Sequence, residues 1–326
     1  MENVFFINPY LSNIKNRIDE ALEELVLHKM AGNEAPTMSL VRDILLVGGK
    51  RFRPILALLA FDAAGGKDES IVMDLALASE IIHTATLIHD DVYDQSKTRR
   101  GMPTLHTSHG LSHAIIAGDY LFVIGFSLGG KYDNIIIEKM AKSAANLASG
   151  ELLQFEHISN LSTTPENYYS IVDGKTAGVF ASACSCAGII AGANSDVIKS
   201  LENFGIELGR AFQLVDDLLD LTGDTSMGKP KGTDVHEGKM TLPLIHSLTI
   251  LHGVEREQLA DILNNFSDDR WQELTSLLVK SGSFEYVEQL IMNHIDRALN
   301  HLDLLPESNA KNLMKDIAIA SQNRRL

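Results

Sequence analysis

Cysteine is nearly absent from this chain: Cys184 and Cys186, one residue apart in ASACSCAG, are the only two. They are too close for an ordinary disulfide and too few for a disulfide framework, which excludes a stapled extracellular scaffold and suits a reducing compartment. The start of the chain, MENVFFINPYLSNIKNRIDEALEEL, lacks a basic segment followed by an apolar core and a small-residue cleavage site. No signal peptide is expected, and a cytoplasmic location follows. Positive charge is also short, with 28 Lys and Arg against 43 Asp and Glu and a net charge of -15. Nucleic acid is therefore excluded as a partner, because phosphate backbones need a broad basic surface. One charge-free span is long enough to cross a bilayer, Thr176 to Ser195, and it is mostly Ala, Gly, Ser and Cys with little Leu or Phe. It reads as a closely packed buried helix, so no integral membrane span is expected.

Alternating strand patterns bounded by hairpin turns are missing too. Apolar positions recur at three- and four-residue intervals in IKNRIDEALEELVLHKM, IVMDLALASEIIHTATLIHDD, SIVDGKTAGVFASACSCAGII and FEYVEQLIMNHIDRALNHLDLL, which predicts an all-α bundle. Helix starts are expected at Thr164 before Pro165, at Ser267 before Asp268 and Asp269, and at Ser283 after Gly282. With 326 residues, 45% of them hydrophobic, and no linker or low-complexity tract, residues 1–326 are read as one domain with a large core.

Two copies of one acidic pattern stand out: DDVYD at Asp90 to Asp94 and DDLLD at Asp216 to Asp220, each inside an apolar stretch. Unpaired buried carboxylates are costly. On a helix Asp90 and Asp94 share a face, whereas Asp91 is rotated by about 100°. All-oxygen ligation with no His or Cys suits a hard ion such as magnesium, with water and substrate phosphate completing its shell. A single cluster of this type serves equally as a helix cap or a solvated acidic turn. Two with apolar flanks point to facing walls of a cavity that holds a polyanion through metal ions.

Basic residues to finish neutralising that anion occur in small groups. GGKRFRP places Lys50, Arg51 and Arg53 behind Gly48 and Gly49, whose backbone permits close approach to a phosphate. Arg99 and Arg100 follow the first acidic motif, Lys175 and Thr176 lie in GKTAGVF, and Lys229 and Lys239 lie in GKPKGTDVHEGKMTLP. Arginine suits bidentate diphosphate contacts; lysine acts as a point charge. The Gly- and Lys-rich segment from Gly223 to Lys239 reads either as a lid that closes on diphosphate or as a surface loop. Within it GDTSMGK has the glycine and lysine spacing of a nucleotide-binding loop, but Pro230 stands where a metal-binding Ser or Thr is needed. His106, His109 and His113 have a spacing that could hold zinc on one helix face, yet Gly110 interrupts them and no Cys or carboxylate joins them. His89 reads as a packing residue.

The ordered set GGKRFRP, LIHDDVYD with RRG, GKTAG, FQLVDDLLD, and GKPKGTD with GKMTLP resembles the trans-prenyltransferase, or polyprenyl diphosphate synthase, family. The resemblance spans about residues 48–325 and implies an isoprenoid-synthase helical bundle around a central cavity. It also implies condensation of an allylic diphosphate with isopentenyl diphosphate, repeated to lengthen a prenyl chain. By the same resemblance, isopentenyl diphosphate meets Lys50, Arg53, His83 and Arg100. The allylic diphosphate meets Arg99, Lys175, Thr176, Gln213, Lys229 and Lys239, with magnesium, about three ions per site, bridging it to Asp90, Asp94 and Asp216. Asp91, Asp217 and Asp220 complete the acidic walls or their water shells. The chemistry needs electrostatic stabilisation of a leaving diphosphate and exclusion of water, with no nucleophilic side chain.

In that family an aromatic residue five places before the first motif usually floors the product pocket. Here Ala85 and Thr86 stand in that region, which favours a long product of about six to eight isoprene units over farnesyl or geranylgeranyl diphosphate, unless a bulky residue deeper down sets the floor. The family's habit implies a homodimer. A terpene cyclase would lack GGKRFRP and the second complete acidic motif. A regulatory subunit would have lost an acidic motif, so this chain is at most the catalytic member of a heteromeric pair. Peripheral attachment to a membrane suits release of such a product.

Overall fold

The computed structural model describes residues 8–47, 49–222 and 231–322, and these are almost entirely helical. The chain opens with α1 (Pro9–Met30), α2 (Ala35–Leu46), α3 (Phe52–Ala63) and α4 (Ser70–Tyr93). In α1 the Asn8 side chain accepts from the backbone N–H of Tyr10 at 2.9 Å, Pro9 fills the first turn, and Leu11, Ile14, Ile18, Leu22 and Val26 are buried. That three- and four-residue spacing presents one apolar stripe to the core.

After α4 comes a hairpin of two short strands, β1 (Thr98–Arg99) and β2 (Met102–Pro103), in which Arg99 faces Met102. The all-α expectation holds, and this pair of short strands left no alternating pattern to read for a local reason. Two-residue strands are too short to alternate, and the turn is made by positive φ at Arg100 (52°) and Gly101 (76°), the backbone of a tight hairpin.

The helices α5 (Leu105–His109), α6 (Leu111–Gly129), α7 (Asn134–Glu156) and α8 (Pro165–Val172) follow. Gly110, at φ 88°, separates α5 from α6, so His106 and His109 lie on one helix and His113 on the next. The three histidines do not line a single helix face. Thr164 caps α8 as expected, with Asn167 reaching back to the Thr164 backbone at 3.1 Å.

A five-residue π turn, Asp173–Ala177, leads into α9 (Gly178–Ile190) and then α10 (Ser195–Thr222). The Thr176 to Ser195 stretch is largely buried, but it is not one long helix: α9 ends at Ile190 and Gly192 turns the chain at φ 73°. Its small residues admit a neighbour closely. A Cβ on Gly205 would lie 2.6 Å from the Cα of Ala181, so α10 packs backbone to backbone on α9. The described helices long and apolar enough to cross a membrane are instead α4 and α6.

The rest comprises α11 (Thr233–His236), α12 (Leu242–Ile250), α13 (Gly253–Asn264), α14 (Trp271–Lys280), α15 (Ser283–His301) and α16 (Asn309–Gln322). Ser283 begins α15 after Gly282 at φ 65°, as expected, whereas Ser267 precedes a short 3-10 turn before α14. The core runs through α3, α4, α9 and α10 and includes fully buried Phe61, Phe180 and Phe204. Both cysteines are buried and free.

Candidate active site

The two longest core helices each end in an acidic motif. On α4, Asp90 is partly buried and its carboxyl is pushed up to about 6, first by burial, with Lys175 opposing and Glu151 and Asp94 adding. Asp94 ends the helix. Asp91, rotated away from them, is buried and accepts from Arg99 Nε at 2.8 Å, which ties the hairpin back to the helix. On α10, Asp216 is partly buried. Asp217 is buried and both its oxygens are taken, one by the Tyr168 hydroxyl at 2.6 Å and the other by Gln213 Nε2 at 2.9 Å. Burial raises its carboxyl to about 7 against those two hydrogen bonds, with Asp216 and Asp220 adding. Asp220 accepts from the backbone N–H groups of Thr233 at 3.0 Å and Asp234 at 3.2 Å, and so caps α11.

Cations from four separate segments converge between these walls. Arg53, in the first turn of α3, lies over the Phe180 ring at 5.1 Å, and its Nε is buried with no hydrogen-bond partner. Burial lowers its guanidinium to about 10, against Glu80, Asp216 and Asp90, so carboxylates from both acidic helices act on this one cation. His83 is held well below the ordinary imidazole range by burial and then by Arg53, Arg100 and Arg99, which favours the neutral imidazole. Lys50 is exposed immediately before the Arg51 turn. Lys175, in the π turn, reaches Glu151 at 2.7 Å and Gln154 at 3.0 Å. Thr176 donates to Gln213 Oε1 at 3.1 Å. Lys239 lies 3.4 Å from Asp94 and 2.5 Å from Glu237; burial works against its charge, but Glu237, Asp94 and Asp234 hold its ammonium above the usual range. Lys229, Gly48 and the rest of Gly223 to Pro230 lie outside the described residues.

The donor set fits a hard divalent cation. Asp90, Asp94 and Asp216 offer carboxylate oxygens that are neither fully buried nor exposed, while burial first, and neighbouring carboxylates after it, raise Asp90 and Asp234, the latter to about 8. Among the described residues no three His, Cys, Asp or Glu side chains enclose an ion by themselves. One or two carboxylates per ion, completed by water and diphosphate oxygens, is how magnesium is commonly held.

Sequence reasoning missed Glu151, Gln154, Tyr168 and Asp234. Asp234 stood in a quoted motif as a carboxylate among cations. Glu151 and Gln154 follow Gly150 at i, i+3 spacing, a signal for one helix face. Tyr168 had none, since its partner is 49 residues away. A groove of about 710 Å³ between α7, α9 and α10, lined by Lys142, Ser143 and Ser182, contains none of the acidic-motif residues. Side-chain chemistry, not cavity size, locates the site. Ala85 is fully buried on α4, and Thr86 donates to the His83 carbonyl at 2.8 Å.

The family pattern described as polyprenyl synthetase matches residues 35–278. An octaprenyl diphosphate synthase of Escherichia coli is 36% identical over 306 residues, covering 89% of this chain and 94% of that protein. An all-trans-nonaprenyl-diphosphate synthase (geranyl-diphosphate specific) of Rhodobacter capsulatus is 33% identical over 306 residues, covering 93% and 94%. The crystal structure of a Caulobacter crescentus polyprenyl synthase complexed with calcium and isoprenyl diphosphate superposes with a TM-score of 0.88 at 30% identity, covering 96% of this chain and 97% of that one. Geranylgeranyl diphosphate synthases are also among the relatives.

Proposed function

We infer the activity of this protein from one premise: it belongs to the polyprenyl synthetase family. It is a trans-prenyltransferase that condenses an allylic diphosphate head to tail with isopentenyl diphosphate and repeats the step toward a long all-trans product. The observation that carries the site assignment is the meeting of the two acidic helix ends: Asp220 caps α11 through the N–H groups of Thr233 and Asp234, and Lys239, just past α11, reaches Asp94 at 3.4 Å.

Asp90, Asp94 and Asp216 are the residues that would hold magnesium, which supplies charge neutralisation of the leaving diphosphate when bound. Lys175 and Lys239 stand beside the first acidic wall and add fixed positive charge as the allylic C–O bond lengthens. Arg99, with its Nε engaged by Asp91, offers its outer N–H groups to the same diphosphate. Arg53, Arg100 and Lys50 bind the isopentenyl diphosphate, and neutral His83 donates a hydrogen bond to it. Thr176 and Gln213, oriented by Asp217, line the space between. The apolar flanks of both motifs exclude water from the cation.

Ala85 supports a long tunnel because its side chain adds no floor, and we assign a product of about six to eight isoprene units on that ground. An octaprenyl diphosphate synthase among the relatives falls within that range and a nonaprenyl diphosphate synthase one unit beyond it, and both support a long product. We assign a homodimer from α6 and α7. Ile116 and Val123 on α6 and Leu152 and Phe155 on α7 are exposed, and Ala141, Ala145, Ala148, Leu152 and Phe155 form an exposed seam at three- and four-residue spacing, the pattern of a helix face that meets another. We read residues 1–326 as one catalytic unit working in the cytoplasm, with release at a membrane surface.

The test is incubation of the purified chain with magnesium, farnesyl diphosphate and labelled isopentenyl diphosphate, followed by resolution of the dephosphorylated products by length. A ladder running past geranylgeraniol is expected. A stop at geranylgeraniol refutes the product assignment, and no product from the chain alone refutes its self-sufficiency.

A further inference from the structure

We propose that Glu80, gripped by Arg51, is the fixed counter-charge that sets the spacing of the isopentenyl diphosphate pocket, so that both are positioning residues for that substrate. The proposal rests on the assignment of Arg53, His83 and Arg100 to that pocket.

Arg51 sits at φ 47°, in the left-handed region that a non-glycine residue rarely adopts, as the residue that begins α3. Its side chain is 1% exposed. Nε donates to Asp19 on α1, Nη1 to Glu80 on α4 and Nη2 to the Leu45 carbonyl on α2, each at 2.8 Å. One guanidinium thus ties three helices to the start of a fourth. Two residues on, Arg53 projects from the first turn of α3 with its Nε unpartnered. Arg100 enters from the hairpin, donates to the Val47 carbonyl at 3.3 Å, and occupies space that a Cβ on Gly49 would meet at 3.1 Å.

Glu80 is buried and bonded to Arg51 at 2.8 Å, and its charge also acts, without a hydrogen bond, on Arg53 and Arg100. A carboxylate cannot bind a diphosphate. Its place among anion-binding arginines is explained by the repulsion those cations would otherwise feel at close range. Arg51 has each of its three guanidinium nitrogens bonded to a protein group and stays put, leaving Arg53 and Arg100 to face the ligand.

The two possible roles of Glu80 predict opposite signs. If its charge merely opposed substrate, Glu80→Gln would lower KM for isopentenyl diphosphate; as a positioning residue its loss raises that KM. We expect a rise of about tenfold or more, with kcat at saturation and KM for the allylic substrate changed less than about twofold. Arg51→Lys, which keeps the charge but cannot span three acceptors, should behave the same way. Asp19→Asn takes the charge off one outer, part-exposed anchor and so weakens it, and should raise the same KM by about threefold; it decides the matter if the buried variants do not fold by circular dichroism. A lowered or unchanged KM, or equal losses for both substrates, overturns the proposal. Arg53→Met separates the two levels of inference. If it leaves KM for isopentenyl diphosphate unchanged, the pocket assignment falls; if it raises KM while Glu80→Gln does not, only the counter-charge role falls.

Discussion

Glu207→Gln should make the protein less stable at neutral pH while leaving its stability near pH 2 almost unchanged. Glu207, on α10, accepts from His294 Nδ1 at 2.6 Å and from Arg297 Nε at 2.8 Å. Burial alone would raise its carboxyl, but the hydrogen bonds and charges of His294 and Arg297 bring it down to about 2 from an ordinary 4.5. A carboxyl depressed in the folded state binds fewer protons there than in the unfolded chain, so its contribution is fully present above about pH 4.5 and disappears as pH falls toward 2. That shift corresponds to at most about 3 kcal/mol, and to nearer 2 kcal/mol after allowance for solvent screening. The consequence reaches the active site. Arg210, which also lies 3.6 Å from Glu207, forks onto Asp173 at 2.7 and 2.6 Å, and Asp173 opens the turn that carries Lys175 and Thr176. Urea unfolding followed by circular dichroism from pH 7 to pH 2.5 checks this. The gap between wild type and variant should be flat from pH 7 to about 5 and then close. A gap that stays constant across the whole range would refute the electrostatic assignment and leave only a packing effect.

Asp90→Ala and Asp216→Ala should each cut turnover by about a thousandfold or more with little change in the unfolding midpoint, since a partly buried ligand is lost rather than core volume; unaltered turnover in either variant would remove that residue from the metal assignment. Ala85→Phe should shorten the product ladder while largely preserving the first condensation, at a stability cost of about 1–3 kcal/mol because the site is already fully buried. An unchanged ladder would place the floor elsewhere. Val123→Glu with Leu152→Glu, at positions 67% and 65% exposed, should convert a dimer to folded monomer in sedimentation velocity, and persistence of the dimer would move the interface off α6 and α7.

The sequence made the acidic motifs legible because helical geometry alone separates their members. In each copy the first aspartate faces the site and the second is turned by about 100° into the protein. Asp91 then meets Arg99, eight residues away, and Asp217 meets Tyr168 from another helix. The rotation could be read from spacing, but the partners could not. A tyrosine 49 residues off is chosen by the packing of α8 against α10, and no local pattern announces it. The same holds within GGKRFRP, where Arg51 and Arg53 are two positions apart and chemically identical. One has every branch of its guanidinium bonded to protein, and the other keeps a buried Nε without a partner. What divides them is the left-handed backbone at Arg51, a conformation a lone arginine would avoid and which its three tertiary hydrogen bonds hold in place. Each motif therefore splits its like residues between those bonded into the fold and those left facing the proposed site. The half that serves the fold is the half the sequence hides, because its partners come from distant parts of the chain.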